Sequence, residues 1–197
     1  MPTNKPAYIE ESCLVVMIAS CLETPHKETG GFLIGKGQKG RLIFGQRMDC
    51  LTLNTAYPVL TQESGHDYWL PGNLSAYNRI TDSIRSMGLD LVGEYHSHIG
   101  DGSKLSIADK RFIQDEHDRF RSKGFEVSNW IEIVLNISEK RYSRKQARSF
   151  GCHLFRNRIR ITLKGFRDPR IGYSVTIAAY WFDHEKVAFQ EAPLYLP

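Results

Sequence analysis

The sequence predicts an α/β domain in which a mixed sheet is flanked by helices. Segments with apolar residues every three or four positions alternate with short apolar runs that are typical of buried strands. No Pro/Gly/Ser-rich linker interrupts this alternation, so we expect one domain. A chain of 197 residues, 41% of them hydrophobic, is long enough to form a core of useful size.

The first elements follow from periodicity and from turn residues. Tyr8 to Leu22 carries apolar residues at helical spacing, and Pro25 ends the predicted helix. Phe32 to Gly35 is a short apolar run typical of a buried strand. Gly40 separates that run from Arg41 to Leu51, which we predict to be its antiparallel partner across the turn-rich segment GKGQKG.

The middle of the chain shows the alternation most clearly. Its predicted elements are, in order, a helix from Leu74 to a stop at Gly88, a strand over Leu89 to His96, a helix over Ser106 to Lys123 and a strand over Trp130 to Ile137. Further strand-like runs fall at Ala56 to Leu60, Asp67 to Leu70, Gly151 to Phe155, Ile159 to Leu163 and Gly172 to Phe182.

Composition argues against several classes of protein. No apolar run is long enough to span a bilayer, and the N-terminus lacks a secretory signal. We therefore expect a soluble, cytoplasmic protein that does not bind membranes. The four cysteines include no CxxC pair, which argues against a structural zinc knuckle and against a thioredoxin-like site.

The net charge of +4 is unevenly distributed. The segment from Lys140 to Arg170 holds eleven basic residues and one acidic residue, Asp168. Such a segment could bind nucleic acid or an acidic partner. We favour a simpler interpretation, a solvated edge hairpin whose lysines and arginines discourage aggregation, because no aromatic-rich nucleic-acid signature accompanies the charge.

The most informative stretch runs from His96 to Asp109. Residues two apart on a strand point to the same face, so His96 and His98 could direct two imidazoles at one ion. Asp109 lies in the first turn of the next predicted helix, where a carboxylate could approach the same point. Two neutral histidines and one carboxylate form a three-ligand zinc set whose fourth position stays open for water, as in catalytic sites.

A hydrolase built on such a site also needs a carboxylate to pass a proton from water to the leaving amine. Glu94 shares the face of His96, but strand rise places it about 13 Å along the backbone from His98. Glu28 precedes a predicted strand start, and strand ends are where an open α/β sheet collects its functional groups. Spacing alone leaves both carboxylates open.

Each piece of this pattern also has an ordinary structural interpretation. Ser106-x-x-Asp109 is a capping box, in which a serine and an acid satisfy free amides at a helix start. A lone pair of histidines often lies at the surface, and two adjacent glycines often form only a turn. The joint occurrence of all the pieces favours a metal site over these separate interpretations.

The motifs resemble those of the JAMM (MPN+/JAB) metallopeptidase family. They are Glu28-Thr29-Gly30-Gly31, then His96-Ser97-His98, then Ser-x-x-Asp beginning at Ser106. The resemblance implies a cytidine-deaminase-like MPN/JAB fold with a basic β-rich C-terminal extension. It places the JAMM/MPN catalytic domain in residues 1–137 and leaves residues 138–197 as a basic β-rich part packed on the same domain.

The resemblance also assigns roles to the site residues. It implies that Zn2+ is held by His96, His98 and Asp109, that Glu28 is the general base and that Ser106 stabilises the tetrahedral oxyanion. Many members have proline after the second histidine, where this chain has Ile99. We therefore expect the loop beside the substrate path to differ in shape from the loop of those members.

The implied activity is that of a zinc metallopeptidase that uses a zinc-activated water. It would hydrolyse an isopeptide or peptide bond at the C-terminus of a ubiquitin-like modifier, so the partner would be a ubiquitin-like protein or its conjugate. The oligomeric state stays open; pairing through helices, which is common in the family, would give a homodimer. The alternative is a non-catalytic MPN-type scaffold, although members without activity usually lack a metal ligand and this chain lacks none.

Overall fold

The computed structural model describes residues 5–59, 62–64, 69–71, 73–100, 102–122, 124, 130–142, 150–155, 157–164, 168, 170–183, 186 and 188–197. Over these residues the chain forms three helices, α1 (Glu11–Glu23), α2 (Leu74–Ser86) and α3 (Ile107–Ser122). The strands are β1 (Ala7–Ile9), β2 (Gly30–Ile43), β3 (Gln46–Pro58), β4 (Gln62–Ser64), β5 (Trp69–Pro71), β6 (Leu91–Ile99), β7 (Ile131–Arg141), β8 (Phe150–Phe155), β9 (Arg158–Lys164), β10 (Ile171–Asp183), β11 (Ala188–Ala192) and β12 (Leu194–Tyr195).

One mixed sheet of ten strands organises the described chain. Its order is β12-β1-β3-β2-β6-β7-β10-β9-β8, with β11 beside β10. Strands β6 and β7 are parallel and are connected through α3, whereas β2 pairs antiparallel with both β3 and β6. The sheet curls far enough for β12, at one end, to contact β9 near the other. β4 and β5 form a separate two-stranded hairpin.

Helices cover both faces of this sheet. On one face α1 packs its buried residues Cys13, Met17 and Cys21 into a cluster with the odd-numbered isoleucines of β7 and the apolar residues of β9 and β10. On the opposite face α2 and α3 pack Tyr77 and Phe120 against the centre of the sheet. The predicted mixed sheet flanked by helices is therefore confirmed. None of the helices in the described part of the chain is long and apolar enough to cross a membrane.

The first hairpin turns later than the sequence predicted. β2 does not end at Gly35 but continues through GKGQKG to Ile43, and the turn lies at Phe44 and Gly45. Both turn residues have positive φ, 47° and 80°, as the two central residues of a tight hairpin turn require. The glycines at 35 and 37 look like turn residues in the sequence, yet pairing with β3 keeps them in the strand, whereas Gly40, with a φ of 60°, lies at an irregularity of the pairing between Gln38 and Arg41.

The N-terminal helix is shorter than predicted. Ala7–Ile9 is a strand that pairs in parallel with both β3 and β12, and α1 begins only at Glu11. Of the predicted strand Asp67 to Leu70, residues 67 and 68 lie outside the described residues. β7 continues through the position between residues 137 and 138, and it pairs with β10 along its whole length. The division of the chain into two parts stays a prediction.

Gly31 gives the sequence motif a structural requirement that can be tested. A Cβ at position 31 would lie 2.1 Å from the Tyr57 carbonyl oxygen, an atom of the neighbouring backbone that cannot turn away. At Gly37, on the same strand, a Cβ would meet nothing within 4 Å.

We therefore expect Gly31→Ala to lower the free energy of unfolding by about 1–3 kcal/mol, the usual cost of forcing extra volume into a packed site. Gly37→Ala is the matched control and should change it by less than about 1 kcal/mol, because nothing opposes the added methyl group. Urea unfolding of both variants measures the difference. Equal effects at the two positions would contradict the close approach of β2 and β3 at Gly31.

Candidate metal centre

His96 and His98 lie at the C-terminal end of β6, on the sheet face that α2 and α3 cover. Both are buried, and their Nε2 atoms are 3.1 Å apart. Asp109, in the first turn of α3, places its Oδ2 atom 3.2 Å from His98 Nε2 and 3.7 Å from His96 Nε2. The structure thus brings together the three residues that the sequence predicts as metal ligands, with their ligand atoms within 4.8 Å of one another.

These separations match the edges of a zinc coordination tetrahedron. Ligand bonds of about 2.0–2.1 Å at the tetrahedral angle set neighbouring ligand atoms about 3.3 Å apart. The three measured edges of 3.1, 3.2 and 3.7 Å lie around that value. Imidazole nitrogen and carboxylate oxygen are also ligands that zinc accepts, and three protein ligands leave one position open. The residues present therefore fit a zinc ion.

The loop after β6 orients the ring of His98. The Gly102 carbonyl oxygen lies 3.1 Å from His98 Nδ1. A carbonyl oxygen only accepts, so Nδ1 must carry a proton, which leaves Nε2 as the atom whose lone pair a metal ion would bind once the ring is neutral. Gly100 and Gly102 have φ values of 87° and 83°, in the left-handed region that glycine favours. From β10, Tyr180 donates to the Ser103 carbonyl oxygen at 2.7 Å and anchors the same loop.

Ser106 and Asp109 form a reciprocal capping box at the start of α3. The Ser106 N–H donates to Asp109 Oδ2 at 2.6 Å, and the Asp109 N–H donates to Ser106 Oγ at 3.0 Å. Burial by itself raises the pKa of Asp109, but hydrogen bonds with His96, His98 and Ser106 outweigh it and hold that pKa well below its usual range. The cap therefore also holds an ionised carboxylate, the form that binds metal ions, against the two histidines.

Glu28 lies beside His98 across the β2–β6 pairing. Gly30, the first residue of β2, is opposite His96, so the antiparallel register places Glu28 opposite His98. Opposite residues of such a pair share a face. Glu28 is only 6% exposed. Burial lowers the pKa of His98, but the hydrogen bond with Asp109 and the charges of Asp109 and Glu28 raise it above its usual value, so the Glu28 charge acts at the site.

Thr29 and Ser97 fix the point at which Glu28 leaves the sheet. The Thr29 N–H donates to Ser97 Oγ at 2.9 Å, and the Ser97 N–H donates to the Thr29 carbonyl oxygen at 2.7 Å. These bonds extend the strand pairing one residue beyond Gly30. The sequence reasoning missed both residues as functional positions. The only signal in the sequence for such a role was the serine at the centre of His-Ser-His: because side chains alternate along a strand, it lies on the face opposite the two histidines.

Glu94 is the other carboxylate that spacing left open, and it has other partners. It lies two residues before His96 on the same face, in register with Glu132 on β7, and is buried. The Tyr77 hydroxyl is hydrogen-bonded to both Glu94 and Glu116. Burial, with the charge of Glu116 adding to it, raises the pKa of Glu94 to about 8. Glu94 therefore belongs to a buried acidic cluster with Glu116 and Glu132, next to the candidate metal centre, whereas Glu28 lies beside His98.

The fold and the site together define a mixed α/β domain with a His-His-Asp cluster able to hold a metal ion. The chain belongs to the prokaryotic homologues of the JAB domain, whose family model matches residues 10–148. The resemblance drawn from the motifs is thereby confirmed. The family includes hydrolases, and its members often bind zinc.

A solved structure of similar fold comes from Desulfitobacterium hafniense. The solution structure of its protein DSY2949 aligns with a TM-score of 0.51 at 15% sequence identity. The alignment covers 97% of this chain and 92% of that one, so the similarity extends over both chains and shows the fold. No curated protein sequence matches the chain.

Ser97→Ala tests the connection between the motif glutamate and the histidine strand. The substitution removes the acceptor of the buried Thr29 N–H, and we expect a loss of about 1–3 kcal/mol in the free energy of unfolding. Ser12→Ala is the control, because the Ser12 hydroxyl donates to the Asn54 carbonyl oxygen in an exposed position where water can replace it. A Ser97→Ala variant as stable as the control would show that this pairing does not hold Glu28 in place.

Proposed function

We propose that this chain is a zinc-dependent hydrolase that cleaves an isopeptide or peptide bond at the C-terminus of a ubiquitin-like protein. The observation that carries the proposal is the convergence of the His96, His98 and Asp109 ligand atoms at tetrahedral spacing. Membership of the JAB family supports the hydrolase class. The position of Glu28 opposite His98 supports a complete catalytic set.

His96, His98 and Asp109 would hold the ion. When bound, zinc supplies Lewis acidity, which polarises a carbonyl oxygen and lowers the pKa of water to near neutrality. The surrounding contacts keep the ligands in place without rearrangement: Gly102 fixes the tautomer of His98, and Ser106 holds the Asp109 carboxylate. Such preset orientation is what the residues around metal ligands contribute in known sites.

Glu28 is the proton carrier in this proposal. Its carboxylate takes a proton from the attacking water, whose oxygen bonds to the scissile carbonyl carbon. The same proton then passes to the amine nitrogen as the carbon–nitrogen bond breaks, which yields a carboxylic acid and an amine; the acid then loses its remaining proton to the amine, which leaves a carboxylate and an ammonium group. The small exposed fraction of Glu28 keeps bulk water away from this transfer.

Ser106 is the donor to the oxyanion in the same scheme. Its Oγ accepts the Asp109 N–H, and the serine donates no side-chain hydrogen bond to any described residue. Its hydroxyl proton is therefore available to an oxygen that gains negative charge. A donor of this kind is typically worth about 10²–10³ in rate. The helix cap and the oxyanion donor use different parts of one hydroxyl group and do not compete.

Glu28→Gln tests the assignment of the base. We expect it to lower turnover by about 10²–10⁴-fold, because an amide cannot accept and return the proton. Zinc content should stay unchanged, since Glu28 is not one of the three ligands. The substrates are ubiquitin-like and sulfur-carrier proteins, each fused through its C-terminus to a reporter protein, and cleavage is followed on gels.

Glu94→Gln is the matched control for that experiment. An amide can keep the hydrogen bond to Tyr77, so turnover should stay within a few-fold of the wild type. A fall in Glu94→Gln with no fall in Glu28→Gln would reverse the assignment. Protein that holds zinc and binds these fusions, yet leaves all of them intact, would favour the non-catalytic scaffold.

A further inference from the structure

Within the described residues, β8 is the last strand of the sheet and has no strand on its outer edge. β8 pairs with β9, and no described strand pairs with Gly151 to Leu154 from the other side. Cys152, His153 and Leu154 are all exposed. In an antiparallel strand every second residue directs its N–H and C=O groups away from its partner. The outer edge of β8 therefore offers main-chain donors and acceptors to another strand.

This edge lacks the features that usually protect an open strand. Natural edge strands carry lysine, proline or an inward-pointing charge that prevents pairing with other chains. Phe150 to Phe155 reads FGCHLF and contains no lysine, arginine, acid or proline. The sequence led us to expect an edge hairpin protected by its own charges; of the segment's basic residues, Arg158, Arg160 and Lys164 lie on β9, one strand inside the edge.

The charges next to this edge form a basic face, which we define as Lys140, Arg158, Arg160 and Lys164. The register of β7, β10 and β9 places all four on one side of the sheet, the side that carries His96 and His98. Arg158 is paired with Glu191 at 2.8 Å. The other three are exposed and make no ion pair with any described residue.

We propose that β8 and the basic face bind an extended acidic segment of a partner protein by strand addition. The added strand would hydrogen-bond to the free edge of β8. Its alternate side chains would be acidic on the side of the basic face and apolar on the side of Leu154. Such a strand would lie about 10 Å from β9, two strand spacings away, which the long side chain of Arg160 can bridge to a glutamate.

Charge and edge chemistry together select this partner over two others. A second copy of the chain would bring a β8 without acidic residues, so Arg160 and Lys164 would remain unpaired. Nucleic acid would satisfy the charge but makes no use of main-chain donors and acceptors along an edge. The centre of the face carries the small hydroxyl side chains Thr162, Ser174 and Thr176, and the exposed rings on this side, His153 and Phe155, lie on the edge strand itself.

The test uses the full chain and a fluorescent peptide of alternating glutamate and valine, with binding followed by anisotropy. Two further peptides carry either lysine in place of glutamate or N-methyl groups on the central amides. We expect the first peptide to bind, and to bind more weakly as salt screens the exposed charges. The lysine peptide and the N-methylated peptide should not bind, because one lacks the charge and the other lacks the donors.

The protein variants separate this surface from general electrostatic attraction. Arg160→Glu with Lys164→Glu should raise the Kd of the glutamate–valine peptide by about tenfold, as expected for two partly exposed ion pairs turned into repulsions. Lys36→Glu with Lys39→Glu is the matched control, since it makes the same charge change at two exposed residues of β2. It should leave the Kd unchanged. All four side chains are exposed, so both double variants should unfold at the wild-type urea concentration.

Four results would overturn the proposal. The first is no binding of the glutamate–valine peptide at low salt, and the second is equal binding of its N-methylated form. The third is a dimer, seen by sedimentation, that persists in the Arg160→Glu, Lys164→Glu variant and is not dissociated by the peptide. The fourth is a single-stranded oligonucleotide that displaces the peptide and binds more tightly. Because every readout is binding, the outcome is independent of whether Glu28 supports hydrolysis.

Discussion

The register between β2 and β6 is the constraint on which the site depends. Because Gly30 lies opposite His96, Glu28 falls opposite His98 and on the same face as both histidines. A slip of one residue would turn Glu28 to the face occupied by α1, since side chains alternate along a strand. The Thr29–Ser97 bonds extend this register by one residue, and the close approach at Gly31 fixes β3 beside it.

The parts of the site that sequence could predict are those set by local geometry. His96 and His98 are two residues apart on one strand, so alternation alone directs both side chains to the same face. Asp109 lies in the first turn of a predicted helix, so the capping pattern alone places its carboxylate at the start of that helix. Glu28 required a pairing between segments about seventy residues apart, which spacing cannot give. The motif resemblance pointed to Glu28, whereas spacing had left both Glu28 and Glu94 open; in the structure Glu94 is hydrogen-bonded to Tyr77.

The fold shows the same division between local and long-range information. The helices α2 and α3 and the strand β7 follow from periodicity, and they lie within a few residues of their predicted bounds. The first turn, at Phe44, and the strand at Ala7 depend on pairing with β3 and β12. β12 lies at the far end of the sequence, so the residues near Ala7 do not indicate that they pair with it. The sequence likewise did not show that Phe150–Phe155, an uncharged run within the basic segment, would be the last strand of the described sheet.

Zinc content is the measurement that tests the central claim most directly. Purified protein supplied with zinc and dialysed should hold about one ion per chain, as a site with three protein ligands does. Asp109→Ala should lose most of it, while Asp115→Ala, an exposed aspartate on the same helix, should keep it. A wild-type chain that holds no zinc, or an Asp109→Ala variant that binds as much as Asp115→Ala, would contradict the assignment of His96, His98 and Asp109 as a metal centre.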